Sequence, residues 1–462
     1  MINTIQMRKR RFMQGITRGI SFTTGCALLC LSPLLAAKSL VDREDLKVNL
    51  NGEAVLGIFS SGEDYKENSQ GDAQWQEGYL KLGLDFTAIQ SQQSALYGGI
   101  AALASGTWGD GDALGGTTGD ERRVAIEDAY LGWKSGTLLP AFGENGLDIS
   151  FGRQNFAVGD GFLIQGDSLN LGEGFGKNLD RGGAYWLAAR KSFGNTFIAR
   201  LGDSSPWRGD IFWLESNNKA QSLTEVAGFN LEYHQENMGH LGITWIRGLS
   251  VDEQVFGGAH NHRDGLNTFS IRGQGSAGIP NVNLSFEYVK QSNSGEGVKD
   301  VDASAWYTEG TYTFSNVQWS PSLTYRYSRF SGDDANTKEN EAFDPLFFGF
   351  SRGFGTWYQG EVAANYAAPF SSNNDVHHVA LKIQPTETLG FGLLYFNFNT
   401  LETTDSVKDY ASEWNLYAEW VVNDNLFISP LVGFYRPDEG AKPVQGNDKT
   451  NTYMQIFALY TF

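Results

Sequence analysis

The chain has 462 residues, 35 lysines and arginines against 53 aspartates and glutamates, and a formal net charge of −18. That balance argues against broad binding of nucleic acid, whose phosphates call for a basic footprint. Cys26 and Cys30 are the only cysteines, so no disulfide or thiol site can form beyond residue 30.

In chain order, residues 1–37 read as a secretory signal peptide. Arg8, Lys9, Arg10, Arg11 and Arg18 form a basic start without an acid, residues 25–35 are apolar apart from Ser32, and Leu35-Ala36-Ala37 offers a cleavage site. Thr23-Thr24-Gly25 before Cys26 lacks the aliphatic residue of a lipidation site. Cleavage then removes both cysteines and leaves 38–462 as one domain. No later apolar run approaches the roughly 18 residues a helix needs to cross a bilayer. A membrane reading must therefore be a barrel reading, because in lipid the backbone bonds have to close on themselves.

The alternation supports a barrel. Leu80, Leu82, Leu84, Phe86 and Ala88 oppose Lys81, Gly83, Asp85 and Thr87. Val282, Leu284, Phe286 and Tyr288 oppose Asn283, Ser285 and Glu287, and an apolar row from Val317 through Trp319, Leu323 and Tyr325 to Tyr327 follows the same period. Short joins fall near 91–94, 135–145, 193–194, 237–238, 275–280, 315–316, 385–388 and 422–424. Longer polar stretches fall near 61–73, 109–121, 155–181, 204–222, 251–265, 292–301, 331–374, 400–411 and 437–449. The two sets nearly alternate, as tight periplasmic turns and long outer loops do. They predict an all-β transmembrane antiparallel barrel of about 18 strands, with one strand between 181 and 193. Ile211-Phe212-Trp213-Leu214 and residues 357–368 could each be strands, but counting either alone breaks the parity, so both are assigned to loops. The stretches 155–181 and 331–374 are expected to narrow the bore.

The final stretch puts Met454, Ile456, Ala458, Tyr460 and Phe462 on one apolar face. Such a face suits a wall strand in lipid, with Tyr460 and Phe462 at the interfacial aromatic girdle. It also resembles the terminal strand of bacterial outer-membrane barrels, whose closing aromatic the barrel-assembly machinery reads. The bilayer of the bacterial outer membrane is the expected location.

Carrying the parity through turns Lys47, Lys81, Arg200, Arg272, Arg326 and Lys382 inward, with Glu53, Asp85, Asp128, Asp148, Glu232, Glu287, Glu309, Glu413 and Glu419. This lumen is mixed in charge. Its side chains either pair across strands and keep the wall rigid, or form a selectivity ladder.

Glu341-Ala342-Phe343-Asp344-Pro345-Leu346-Phe347 and Gly355-Thr356-Trp357-Tyr358-Gln359-Gly360-Glu361 resemble a loop pattern of the alginate-export family of outer-membrane porins. Glu127-Asp128-Ala129-Tyr130-Leu131 with Phe151-Gly152-Arg153-Gln154-Asn155-Phe156 is similar to that family's early strands, and Pro206-Trp207-Arg208-Gly209-Asp210 fits it as well. The resemblance implies an 18-stranded monomeric channel that conducts an anionic uronate polymer or related carbohydrate past an arginine-rich constriction. Arg153 matches the family's Gly-Arg-Gln strand end and is the first constriction candidate. Its parity, shared with Phe151, points to lipid, so a bulge or strand end would be needed to turn it inward.

Other motifs lack context. Gly349-Phe350-Ser351-Arg352-Gly353 matches G-x-S-x-G but lies in a loop without the strand, elbow and helix that motif requires. Arg352 could still face the pore. Asp110-Gly111-Asp112 places Leu114 where a calcium ligand would fall. His260-Asn261-His262 with Asp264, and His377-His378, are weak metal candidates, and Gly172-Glu173-Gly174-Phe175-Gly176-Lys177 is not a phosphate loop. No catalytic Ser–His or His–Asp arrangement stands out, and no cofactor is expected. Loop acids Asp333, Asp334, Glu339 and Glu341 could bind lipopolysaccharide through divalent cations. The sequence therefore predicts a passive channel for a hydrophilic anionic solute, a uronate polysaccharide or oligosaccharide, rather than an enzyme. Alternatives are an uptake porin specific for small organic acids or sugars, and a structural barrel plugged by a loop.

Overall fold

Apolar residues at every second position line the outside of the wall. Leu80, Leu82 and Leu84, then Leu284, Phe286 and Tyr288, then Met454, Ile456 and Tyr460 all project outward, as lipid-facing rows do. The computed structural model describes residues 38–66, 71–202, 205–293, 300–349, 360–403 and 407–462. The expected signal peptide and Arg352 lie outside them.

The strands are β1 (Lys38–Asp42), β2 (Leu46–Ser61), β3 (Ala73–Ile89), β4 (Ala95–Gly109), β5 (Arg122–Lys134) and β6 (Leu147–Arg153). There follow β7 (Asn195–Leu201), β8 (Trp207–Glu215), β9 (Glu225–Gln235), β10 (Gly239–Ser250), β11 (Asn267–Gly275), β12 (Val282–Asn293) and β13 (Val301–Thr313). The last six are β14 (Ser322–Phe330), β15 (Asn374–Ile383), β16 (Leu389–Thr400), β17 (Asp409–Val421), β18 (Leu426–Pro437) and β19 (Asn451–Thr461). From β2 onward each strand pairs antiparallel with the next. β19 then returns to β2, from Tyr453 opposite Ser61 to Thr461 opposite Glu53. The result is a closed barrel of 18 strands, which leaves no open sheet edge at the seam.

Phe462 completes the seam by exchanging backbone bonds with Gly52 at 2.9 and 3.0 Å. Below it β1 occupies the same edge of β2, with Lys38 opposite Leu50 and Asp42 opposite Lys47. This short strand adds to the seam without entering the barrel count.

The expected number of strands is right, but two of the expected assignments are wrong and cancel. Residues 182–192 are not a strand. They belong to one long loop, 154–194, and 193–194 is not a periplasmic turn. Ile211-Phe212-Trp213-Leu214 is not a loop segment but the centre of β8, so the supposed outer loop 204–222 contains a short turn, a strand and a shorter outer loop. Both errors have one cause. In β8, Ile211 is exposed outward while Phe212 and Leu214 are buried inward, and two apolar faces erase the alternation. In 182–192 the apolar run Ala184 to Ala189 is buried within the barrel instead of facing lipid. A smaller correction concerns β14, which begins at Ser322 and leaves Val317 and Trp319 in the preceding turn.

Candidate functional site

Inward-facing residues of the outer half of the wall are large and apolar, and they need something to pack on. Two loops supply it: 154–194, which follows β6, and 331–373, which follows β14. On one side Phe59, Trp75, Phe396 and Tyr453 of the wall enclose Trp186 and Leu187 of the first loop and Val362, Ala363 and Tyr366 of the second. On the other side Phe212, Val289 and Phe330 enclose Phe156, Phe162 and Ile164 of the first loop and Phe343 and Phe347 of the second. Burial of these aromatic rings removes far more apolar area from water than a polar bore would.

The loops are also tied to each other and to the wall by polar bonds. Gln165 N donates to Phe347 O at 2.9 Å, and Phe347 N to Leu163 O at 3.0 Å. Glu77 of β3 accepts from Leu187 N at 3.0 Å and from Trp75 Nε1 at 3.1 Å. Glu413 of β17 accepts from the backbone N–H groups of Glu361, Val362 and Ala363 at 2.7, 3.1 and 2.9 Å. These donors open a short helical turn at Ala363–Ala367, where a carboxylate is favoured. Gly360 must be glycine here: its φ is +87°, and a Cβ would stand 2.6 Å from the Glu413 carboxylate. Asp344 forms a two-point ion pair with Arg263, at 2.6 and 2.8 Å, and meets His262 Nε2 at 2.7 Å. Burial alone would raise its pKa, but the Arg263 charge and these bonds hold it well below the carboxylate range.

The luminal candidates stand in pairs. Lys81 meets Asp128 at 2.5 Å, Lys382 meets Glu419 at 2.8 Å, Arg326 meets Glu309 at 3.4 Å and Arg200 meets Asp210 at 3.9 Å. Arg272 meets Glu232 at 2.5 Å across an intervening strand. Gly242 lies opposite both residues, and a Cβ there would stand 2.9 Å from the guanidinium carbon. Because β7 runs down from the long loop, Arg200 lies near the periplasmic end, opposite Asp148.

Arg153 lies elsewhere. β6 ends at this residue, opposite Ala129, and with the Asn217 amide turned to present its oxygen, Arg153 Nη2 and Nη1 donate to it at 2.7 and 2.9 Å. Beside it is a cavity of about 480 Å³. Arg123, Arg153, Lys177, Arg181, Arg190 and Lys219 line it, against one carboxylate, Asp180. At its inner end Arg181 pairs with buried Asp167 at 3.0 Å and Arg190 with buried Glu127 at 3.1 Å. The register of β5 slips between Ile126 and Asp128, leaving Glu127 as the extra residue of a bulge. Glu127 and Asp128 therefore both serve the interior, Glu127 by accepting from Lys191 N at 2.6 Å and Ser192 N at 2.8 Å. The sequence reading overlooked Arg181 and Arg190. The available signal was the pair Glu127-Asp128, since strict alternation would have turned one of the two to lipid.

A family model described as alginate export matches residues 89–416. The chain belongs to the alginate export family. No curated protein matches it. Solved porins share the fold of this alginate-export-family barrel. OccK5 (OpdH) of Pseudomonas aeruginosa is 11% identical, with a TM-score of 0.54, over 89% of this chain and 98% of its own. OccAB4 of Acinetobacter baumannii is 12% identical, with a TM-score of 0.55 and the same coverage. A BenF-like porin from Pseudomonas fluorescens Pf-5 is 10% identical, with a TM-score of 0.55, over 90% and 98%. Family and fold together make the alginate-export-family barrel a channel of the bacterial outer membrane.

Two rejected motifs gain a structural account. Asp112 accepts from Leu114 N, Gly116 N and Thr117 N at 3.0, 3.2 and 2.6 Å, so its oxygens cap their own turn. Ser222 Oγ lies 3.0 Å from His260 Nδ1, a Ser–His contact the sequence did not reveal. Ser222 is fully buried, and burial together with Arg263 draws the His260 pKa down to about 4.

Proposed function

We propose that this outer-membrane channel conducts an anionic saccharide, a uronate oligomer or polymer, by passive diffusion. The observation that carries the reading is the cavity with six cationic side chains and one carboxylate in a chain of net charge −18. Arg153 can offer a planar, two-point contact to a sugar carboxylate, which a lysine cannot. The channel works as a monomer exported by its N-terminal signal, and a bound anion exchanges part of its hydration for guanidinium contacts.

A second reading, uptake of a small organic acid or sugar, has its own support. A polymer needs a continuous wet path, whereas loops 154–194 and 331–373 fill much of the outer half with buried aromatic side chains. Planar-bilayer recording tests both. Anion preference with current block by oligouronates supports the first, and block by monomeric acids alone supports the second. Cation preference without either block removes both, and absence of any current favours a plugged structural barrel. Arg153→Ala should weaken the block, whereas Arg200→Ala reports on the periplasmic end.

A further inference from the structure

The wall has a gap at the level of the outer leaflet. β5 pairs with β6 only from Ala129 to Lys134. Its outer stretch, Arg122 to Asp128, has no strand partner on that side among the described residues, although β4 covers the other side as far as Arg122. On that stretch Val124 is 76% exposed and Ile126 47% exposed, both facing outward. Beyond them Arg122 stacks on Trp108 at 4.3 Å, an aromatic and a cation at the height where a barrel meets the headgroups. The basic cavity wraps this free edge, since Ala125 and Ile126 from opposite faces of β5 both line it. Its outer mouth carries Arg123, Lys177 and Lys219, all exposed.

We propose that this mouth holds a phosphate of the lipid A part of lipopolysaccharide, with acyl chains lying along Val124 and Ile126. Cations above an apolar strip match a headgroup that is anionic above and greasy below, and basic residues at a membrane surface favour anionic lipid. The wall gap lets the phosphate approach sideways, from the leaflet in which that lipid resides. The inference rests on the outer-membrane location; it shares the basic cavity with the uronate reading but uses its outer mouth and not Arg153.

The test uses the refolded chain in phosphatidylcholine nanodiscs, titrated with bisphosphorylated lipid A or its dephosphorylated form and read by native mass spectrometry. The phosphorylated lipid should be retained at least about tenfold better. The Arg123→Ala/Lys177→Ala/Lys219→Ala variant should lose that preference, while Lys338→Ala/Lys442→Ala/Lys449→Ala, with the same charge removed elsewhere, should keep it. Heat-shifted gel mobility checks that each variant is a folded barrel. Equal retention of both lipids, an unaffected first variant, or equal loss in the second would overturn the proposal. Uronate block, recorded in bilayers free of lipid A, reports separately on the channel function.

Discussion

Trp186 Nε1 donates to Glu361 Oε2 at 2.9 Å, joining the loop after β6 to the loop after β14 inside the barrel. Tyr185 repeats the link through its hydroxyl, which donates to Asn365 O at 3.2 Å. The bore is therefore narrowed by one body formed from two loops 175 residues apart in sequence, and what loosens one should loosen the other.

The Trp186–Glu361 contact should depend on pH. Burial pushes the Glu361 pKa from the ordinary 4.5 up to about 8, the Trp186 bond opposes that rise and the Glu413 charge adds to it. An acid raised in this way stabilises the docked loops most below its free pKa and least above its docked one. Docking should weaken from about pH 5 to about pH 8. Single-channel conductance is expected to rise across that window, and Glu361→Gln should flatten the response. A pH-independent wild type would count against the latch.

Gly360→Ala should free the second loop without harming the wall. A methyl group there meets the Glu413 carboxylate and requires an unfavourable positive φ, at a cost of about 1–3 kcal/mol. Conductance and protease cleavage within 360–373 should increase while heat-shifted mobility stays normal.

Glu232→Ala should destabilise the wall. Arg272 is almost fully buried and would lose the carboxylate that accepts from its Nη2, while Glu287 opposite it remains, so the cost is that of one charged bond, about 1.5–3 kcal/mol. Urea unfolding in detergent or liposomes measures this loss. Arg272→Met should cost more than Glu232→Ala, because it removes the cation that both Glu232 and buried Glu287 face.

Arg153→Gln should lower anion preference with little effect on stability. Its partner Asn217 is neutral and exposed, so no buried charge is left behind. A cation 4 Å from a passing anion is worth about 1 kcal/mol in water-like surroundings, or roughly fivefold in relative permeability. Reversal potentials in a salt gradient give that ratio. Replacing Arg190 would be a poorer test, since it breaks the buried ion pair with Glu127.

Alternation was readable wherever one face met lipid and the other met polar groups, as in β3, β12 and β19. It failed at β8, where Phe212 and Leu214 pack on an inward loop, and at 184–189, whose apolar side chains are buried in the lumen. Period two reports a difference between faces, and it vanishes once both faces are apolar. The candidate site was partly legible. Gly152-Arg153-Gln154 marked its strand end, but Arg181 and Arg190 sit in a loop whose path no local pattern dictates.

The sequence by itself determined the antiparallel barrel and its outer-membrane setting, because lipid imposes a local rule on every second residue; its strand number came out at 18 only because two wrong assignments cancelled. Only the tertiary structure decided how the two loops expected in the bore pack on each other, that Arg153 lies beside a gap in the wall, and that Arg181, Arg190 and Glu127 meet there. Those arrangements arise from contacts between residues dozens to hundreds of positions apart. Loop closure over such distances is governed by packing and buried charge, neither of which leaves a period in the chain.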